Sequence, residues 1–435
     1  MKIRSWISTC SSAVCTSTSD DAAAPLSKTR TPSPKLLLSD RSSSSNTRAS
    51  SSSTSQDTSY SSLQSNLSLQ TLPSVPSLQK FSPEALNLSV THICIASLKP
   101  RPVHVNFLAV HNNLLYAASG NQINVFDIVN YTHIDTFNCK DSSTGSVKSV
   151  TFCDGKVFTA HQDCKIRVWQ LTASKHHKIV ATLPTVKDHL RHFVLPKNYV
   201  KVRRHKTRLW IEHNDAVSGL AVIGTVMCSV SWDKCLKIWR TSDFRCAESV
   251  KAHDDAINAL VVSFDGTIYT ASADRRIKVW ARPFGERRHG LIATLEKHKS
   301  AVNALALNGD GSVLFSGACD RSILVWERED SANHMVVSGA LRGHSKAILC
   351  LINVSDLLFS GSVDRTVRIW QRGHDGQYCC LTVLDGHEKP VKSLAAVSGY
   401  APGGAIEVFS GSFDGEIKIG ISESDFVASQ ALWFL

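Results

Sequence analysis

From about residue 90 the chain alternates apolar and polar residues in short runs, and these runs come in pairs. Residues 268–272 and 277–280 form one such pair, with Asp274 in the turn between them. Alternation over four to eight residues is typical of a half-buried β-strand, and a short polar turn between two such runs indicates an antiparallel hairpin. The pattern therefore predicts an all-β body built from hairpins.

The hairpins repeat with fixed landmarks: two apolar residues followed by Ser or Thr, an aspartate four residues after the Ser or Thr, and a tryptophan six residues after the aspartate. Five copies keep this distance: Asp163 and Trp169, Asp233 and Trp239, Asp274 and Trp280, Asp320 and Trp326, and Asp364 and Trp370. A sixth copy has Asp414, with Gly420 where the tryptophan should be. Most steps between successive aspartates are close to the period of about 40–45 residues that four-stranded propeller blades show.

A histidine precedes most of these aspartates, at His213, His253, His298, His344 and His387. Together the landmarks resemble the WD40 family, whose blades are closed by a buried, hydrogen-bonded set of His, Ser/Thr, Asp and Trp. The resemblance implies four complete structural tetrads: His213, Ser229, Asp233, Trp239; His253, Thr270, Asp274, Trp280; His298, Ser316, Asp320, Trp326; and His344, Ser360, Asp364, Trp370. A buried carboxylate is costly unless it is paired, so the four partners are expected together.

A weaker copy at residues 114–127 has a turn one residue shorter, and Phe126 stands in the place of the tryptophan. Counting it gives seven blades. In the WD40 family both chain ends usually contribute to one blade, which removes exposed strand edges. Residues 93–98 are predicted to supply the outer strand of the last blade. We therefore expect a seven-bladed WD40 β-propeller over residues 89–435.

Residues 1–88 differ from this body, since they are rich in serine and of low complexity. Such a segment buries too little apolar surface to offset the entropy of ordering, so it is predicted to be a disordered leader. The chain lacks a run of eighteen apolar residues and a secretory signal, and its 13 cysteines follow no framework spacing. These features favour reduced thiols in the cytoplasm and nucleus, with no membrane span, and leave organelle import as a minor alternative.

A step of 70 residues between Asp163 and Asp233 predicts an inserted loop at about residues 184–209, on the rim of the ring. Residues 174–211 contain ten Lys/Arg and one acidic residue, in a chain of net charge +11. A basic patch suits an acidic protein segment, phosphates or a nuclear import receptor. The predicted contacts are Arg203, Arg204, Lys206 and Arg208. Nucleic-acid or chromatin binding by this loop is the alternative, less favoured because few aromatic residues lie nearby for base stacking.

The amino-acid sequence of residues 198–205, 209–218 and 251–259 is similar to that of the plant WD-repeat proteins named Jingubang. The resemblance covers about residues 90–419. It implies a non-enzymatic plant regulator of cytoplasm and nucleus, associated with restraint of pollen germination, whose partners are other proteins such as transcription regulators. The end of the chain, from Gly420 onward, departs from the family.

Neighbouring histidines and aspartates, such as His253 and Asp274, could be drawn as a proton relay. The same grouping recurs in at least four blades, whereas an active site need not repeat. We therefore predict that the protein is not an enzyme and binds no cofactor. His189, His192 and His205 could bind zinc, but no cysteine pair lies nearby at ligand spacing, which favours surface histidines without a metal.

The sequence therefore predicts a protein–protein interaction scaffold. The residue before each aspartate lies at a turn on one rim of the ring. At two of these turns the residue is a large aromatic, Trp232 or Phe413, the type favoured as an interface anchor. The alternative is that the aromatic side chains of Trp232 and Phe413 pack on neighbouring blades.

Overall fold

The computed structural model describes most of the chain beyond residue 74. The described residues are 75–80, 90–99, 103–138, 142–203, 206–328, 335–373, 375–398 and 405–424. Residues 1–88, which the sequence predicts to be disordered, lie outside the described residues except for residues 75–80.

The first three blades are four-stranded antiparallel sheets. Blade 1 contains β3 (Val105–His111), β4 (Leu114–Ser119), β5 (Gln122–Asp127) and β6 (His133–Phe137). Blade 2 contains β7 (Val147–Cys153), β8 (Lys156–His161), β9 (Ile166–Leu171) and β10 (His177–Leu183). Blade 3 contains β13 (Val217–Ile223), β14 (Val226–Ser231), β15 (Cys235–Arg240) and β16 (Cys246–Lys251).

Four further blades complete the ring. Blade 4 contains β17 (Ile257–Val262), β18 (Ile268–Ser272), β19 (Ile277–Ala281) and β20 (Gly290–Leu295). Blade 5 contains β21 (Val302–Leu307), β22 (Val313–Ala318), β23 (Ser322–Arg328) and β24 (Met335–Arg342). Blade 6 contains β25 (Ile348–Val354), β26 (Leu357–Ser362), β27 (Val367–Arg372) and β28 (Tyr378–Leu384). Blade 7 contains β29 (Val391–Ser398), β30 (Ile406–Ser412), β31 (Ile417–Ser424) and β2 (Val90–Leu98).

The innermost strands close the ring. Each blade's first strand contacts the first strand of the next blade, and β29 of blade 7 contacts β3 of blade 1. The outer strand of blade 7 is β2, which pairs antiparallel with β31 so that Leu98 lies opposite Ile417. This confirms the seven-bladed propeller and the prediction that residues 93–98 supply the outer strand of the last blade.

The apolar core lies between blades. Each radial sheet has a neighbour on both faces, so both faces of its strands are apolar. Trp239 of blade 3, for example, packs against Phe158 and Leu183 of blade 2. Trp169, Trp280, Trp326 and Trp370 likewise pack against the blade that precedes their own, and Phe126 of blade 1 packs against blade 7. Aromatic rings at this position supply much of the apolar area buried between blades.

A short segment of the predicted leader lies against the propeller. Strand β1 (Gln79–Lys80) pairs in parallel with β28 of blade 6, and Ser77 bridges to Ala340 of blade 5. The Ala340 amide donates to the carbonyl oxygen of Pro76 at 2.9 Å. Val75 is buried in the apolar cluster that blades 4 and 5 form. Residues 75–80 therefore join the outer strands of blades 5 and 6.

The insertion between blades 2 and 3 is ordered, which corrects the prediction of a simple loop. It contains helix α1 (Val186–His192), a 3-10 turn (Pro196–Asn198) and a hairpin of β11 (Tyr199–Arg203) and β12 (Lys206–Leu209). The Thr185 hydroxyl caps the helix by accepting from the Asp188 amide at 3.2 Å. Leu209 is buried among residues of blades 2 and 3, which anchors the hairpin to the ring.

Candidate functional site

The tetrad residues meet inside each blade, between the strands that the repeat pattern defines. In blade 4, His253 Nδ1 donates to Asp274 at 2.8 Å, and the Thr270 hydroxyl donates to His253 Nε2 at 2.9 Å. Trp280 Nε1 donates to the Thr270 oxygen at 3.0 Å. The structure brings together the same four groups in three more blades: His213, Ser229, Asp233, Trp239; His298, Ser316, Asp320, Trp326; and His344, Ser360, Asp364, Trp370.

The tetrad carboxylates are held in their charged form. Burial alone would raise the pKa of Asp274, but hydrogen bonds from His253 and from the amides of Asp254 and Arg276 outweigh it and hold the pKa at about 2. A carboxylate with a depressed pKa stabilises the fold above its ordinary pKa, and this stabilisation is lost as the pH falls through about 2. The tetrads therefore favour the folded state at neutral pH.

The histidine of the blade 4 tetrad is closed to a substrate. His253 is 1% exposed, and both of its ring nitrogens are engaged by Asp274 and Thr270. A general base needs to reach the proton that it removes, directly or through one water. The arrangement therefore ties strands together and offers no route for proton transfer to a ligand.

Blade 2 uses a different histidine, which the sequence reasoning missed. His161 Nε2 lies 2.7 Å from the Thr159 hydroxyl, and Trp169 donates to the same oxygen at 2.9 Å. Asp163 pairs with Arg167 at 2.7 Å instead of with a histidine. His161 lies two residues after Thr159, at a position where five of the other six blades have a serine and blade 5 has Ala318. A blade-to-blade alignment of this one position could have identified it.

The sequence suggested His189, His192 and His205 as possible metal ligands, and the described residues contain a second candidate group. His387, Asp414 and Glu416 bring one ligand atom each within 4.8 Å of one another. The His387–Asp414 hydrogen bond of 3.1 Å has the same geometry as in the complete tetrads, which assigns this group to the same structural role. His189 faces Glu212 and His192 packs edge-on against Trp210, so these two histidines have different partners. His205 lies outside the described residues.

Trp232 and Phe413 lie at one end of the ring, half-buried, and each contacts a neighbouring blade. The Lys148 ammonium of blade 2 lies 5.3 Å from the centroid of the Trp232 ring. Phe413 meets the His104 ring edge-on at 5.4 Å. Both aromatic side chains are therefore held by a contact with a neighbouring residue, while part of each remains exposed to solvent.

Lys148 places a cation at the centre of this end of the ring. Burial, and then the like charge of Lys392, lower the pKa of Lys148 to about 8. Each lysine is the second residue of its blade's innermost strand, β7 or β29, so both lie on strands that surround the axis of the ring. A partly buried cation with a perturbed pKa is a feature of binding sites.

Replacing Lys148 with methionine should change how stability depends on pH. The unfolded chain keeps its proton up to about pH 10.4, whereas folded Lys148 loses it near pH 8, so wild-type stability should rise between these values. The variant should lack this rise. Thermal unfolding midpoints from pH 7 to 10 measure it, with the exposed Lys251→Met as the control. Parallel curves for wild type and Lys148→Met would contradict the placement of this ammonium.

The insertion exposes both apolar and basic side chains. Seven apolar residues are 40–76% exposed: Val186, Leu190, Phe193, Val194, Leu195, Tyr199 and Val200. Exposed basic residues lie among them: Lys187, Arg191, Lys197 and Lys201. We call these eleven residues the insertion face. Clustered exposed apolar side chains mark interaction sites, and the sequence reasoning, which followed charge, did not single them out.

The four basic residues predicted as contacts have different surroundings. Arg208 donates to the carbonyl oxygen of His213 at 3.1 Å, so it supports the base of the hairpin. Arg203 and Lys206 occupy the tip of the hairpin, where their backbones pair. Arg204 lies outside the described residues.

The insertion and the aromatic turns lie at the same end of the ring. Leu183, the last residue of β10, pairs with Ile166 at the start of β9, immediately after the turn that contains Asp163. The chain therefore enters the insertion at the end of the ring where the aspartate turns lie. Phe264 and Phe284 are exposed aromatics in turns at the opposite end.

Comparison with known proteins agrees with the blade pattern. The family model described as "WD domain, G-beta repeat" matches residues 244–281, 290–327, 335–371 and 378–419. Each match begins with the outer strand of one blade and continues through the first three strands of the next.

One curated relative is the "Nuclear distribution protein nudF" of Emericella nidulans. It is 23% identical over 244 residues, which are 51% of this chain and 47% of that protein. The chain thus spans about half the length of this relative. Within the described part of the chain, no helix has the length and apolar character of a membrane span.

Proposed function

We propose that this seven-bladed propeller, whose repeats match the WD40 family model, is a non-catalytic scaffold that binds other proteins. The observation that carries this proposal is the insertion face, because it exposes seven large apolar side chains on an ordered element at the end of the ring that also holds Trp232 and Lys148. A soluble protein gains nothing from such exposure unless a partner covers it.

The charge of this surface indicates the chemistry of the partner. The insertion face combines apolar residues with four exposed lysines and arginines, and Lys148 adds a cation near the axis. An acidic segment with apolar residues would complement both features, since opposite charges steer encounter and buried apolar groups supply affinity. We therefore propose an acidic, partly apolar protein segment as the partner.

A finer role follows from the resemblance to Jingubang proteins: a plant regulator that works in cytoplasm and nucleus and restrains pollen germination. The support for this role is the similarity in amino-acid sequence over residues 198–205 and 209–218, which include most of the hairpin of the insertion. The basic hairpin tip would also suit a nuclear import receptor.

The experiment that tests the scaffold function compares the two ends of the ring. Trp232→Ala combined with Phe413→Ala should lose at least about tenfold in affinity for partners captured by the wild-type chain, since large aromatics dominate interface energies. Phe264→Ala combined with Phe284→Ala removes two aromatics from the opposite end and serves as the matched control. Quantitative affinity capture and thermal unfolding are measured for all three chains.

Two outcomes would contradict the proposal. If the control pair reduces capture and the Trp232 and Phe413 pair does not, the binding end has been assigned wrongly. If neither pair of substitutions changes capture while both variants keep the wild-type unfolding midpoint, Trp232 and Phe413 pack between blades and do not contact a partner.

A further inference from the structure

A cavity of about 370 Å³ lies between blades 6 and 7, where the ring lacks a tryptophan. In blades 3 and 4 the register of the outer strand shifts at Trp239 and Trp280. In blade 7 the same shift occurs beside Gly420, which lies opposite Cys94 and lines the cavity. Gly420 therefore occupies the tryptophan position, and the space that the indole ring fills elsewhere is open.

The walls of the cavity keep the character of a tryptophan pocket. Blade 6 contributes Val367, Val383 and Leu384, and blade 7 contributes Val408 and Ile419. The rest of the lining is polar or charged and includes Thr382, Asp385, His387 and Lys418. The packing between these two blades consists of aliphatic residues and Phe359, with no ring from the third strand of blade 7. Apolar side chains from both blades suit a planar aromatic guest, because stacking and dispersion act over the whole ring face.

A hydrogen-bond acceptor lies at the inner end of the cavity. In the complete tetrads the Ser/Thr oxygen accepts the tryptophan N–H, at 2.8 Å from Trp239 to Ser229 and 2.9 Å from Trp370 to Ser360. In blade 7 the Ser410 hydroxyl is 2.9 Å from His387 Nε2 and 8% exposed, and residue 420 has no side chain to donate to it. The Ser410 hydroxyl can donate to His387 or, at 3.5 Å, to the Lys418 carbonyl oxygen. Its oxygen lines the cavity and keeps a lone pair that can accept from a guest.

We propose that this cavity is a binding site for a small planar aromatic molecule that carries a ring N–H, of the indole class. The guest would lie between the aliphatic walls of blades 6 and 7 and donate its N–H to Ser410, which restores the hydrogen bond of the other tetrads. An apolar cavity of about 150 Å³ is sufficient to bind benzene in an engineered protein, so a bicyclic ring fits within the larger volume here. The remaining space admits a substituent on the ring.

Indole itself is the probe for the first measurement. Calorimetric titration of the full chain should give saturable binding of one indole, with a dissociation constant on the order of 0.1 mM for a ligand of this size. 1-Methylindole has the same ring but no N–H, so it should bind about tenfold more weakly, the factor that one hydrogen bond supplies. Equal affinities would overturn the role of Ser410, and absence of saturation up to the solubility limit would overturn the site.

Filling the cavity from within is the second measurement. Gly420→Trp should abolish indole binding and raise the thermal unfolding midpoint, because the missing ring is supplied covalently. If this variant does not fold, Val383→Trp places a ring in the same cavity from the exposed edge of β28. Indole binding that persists at full strength in a folded filled variant would overturn the assignment.

Cys94 reports the location of the guest. Its thiol lines the cavity and is exposed, whereas Cys164 lies in a turn of blade 2. Saturating indole should slow alkylation of Cys94 several-fold and leave that of Cys164 unchanged, as read by mass spectrometry. Unchanged alkylation of Cys94 during saturation would place the ligand elsewhere.

Discussion

Replacing Asp274 with alanine should lower the free energy of unfolding by about 2–4 kcal/mol. The substitution removes a carboxylate that accepts from His253 at 2.8 Å and from the backbone amides of Asp254 and Arg276 at 3.1 and 3.0 Å. His253 is buried, so its Nδ1–H would be left without an acceptor. A buried donor without a partner carries the full cost of its desolvation.

Chemical denaturation of wild type and variant measures this difference, and Asp254→Ala is the matched control. Asp254 is the neighbouring carboxylate in blade 4; its side chain is 74% exposed and pairs with Arg276 at 3.2 Å. Exposed ion pairs contribute little, so the control should differ from wild type by less than about 0.5 kcal/mol. If both variants were equally stable, the tetrad would not be the element that ties the blade together.

Deleting residues 184–207 should leave the ring folded and remove most of its partner binding. The anchors Leu209 and Ile211 stay in the chain, and only a few residues connect β16 to β17 in the neighbouring blades. Closure entropy changes slowly with loop length, so a shorter connection costs little. Affinity for the partner should fall at least about tenfold, because the deletion removes the whole insertion face.

Two smaller sets of substitutions divide this effect into apolar and charged parts. Leu190→Ser with Phe193→Ser removes apolar area from the insertion face, and its deficit in affinity should not depend on salt. Arg203→Gln, Arg204→Gln and Lys206→Gln remove charge from residues 203–206, and the resulting loss of affinity should shrink as salt screens the charge. The charge variant should also accumulate less in the nucleus. A deletion that unfolds the ring, or one that changes neither binding nor localisation, would contradict this account.

The repeat landmarks could be predicted from the sequence because they are local. The aspartate and tryptophan lie within one hairpin, so their separation of six residues is fixed by strand length and turn type. The shorter turn and Phe126 of blade 1 were predicted on the same ground, and the structure pairs β4 with β5 around a two-residue turn. Closure by β2 followed from the need to cover a strand edge.

The features that the sequence did not predict depend on tertiary surroundings. Residues 75–80 are ordered because the seam between blades 5 and 6 offers them backbone partners, and nothing in their composition distinguishes them from the leader. The exposed apolar residues of α1 and β11 resemble core positions in a pattern analysis, since exposure is set by the ring beneath them. Gly420 was noted as a departure, but the cavity beside it depends on the walls of blade 6.

The pairing of β2 with β31 also has a consequence for synthesis. The two strands lie about 320 residues apart in the chain. At about 5–20 residues per second, β2 leaves the ribosome roughly 15–65 s before its partner exists. During that interval the nine-residue strand can pack on blade 1 through Ala96 and Leu98, but β31, the strand with which it pairs, is missing. Unpaired strand edges recruit other chains, so β2 is exposed to non-native strand pairing until the last blade is translated.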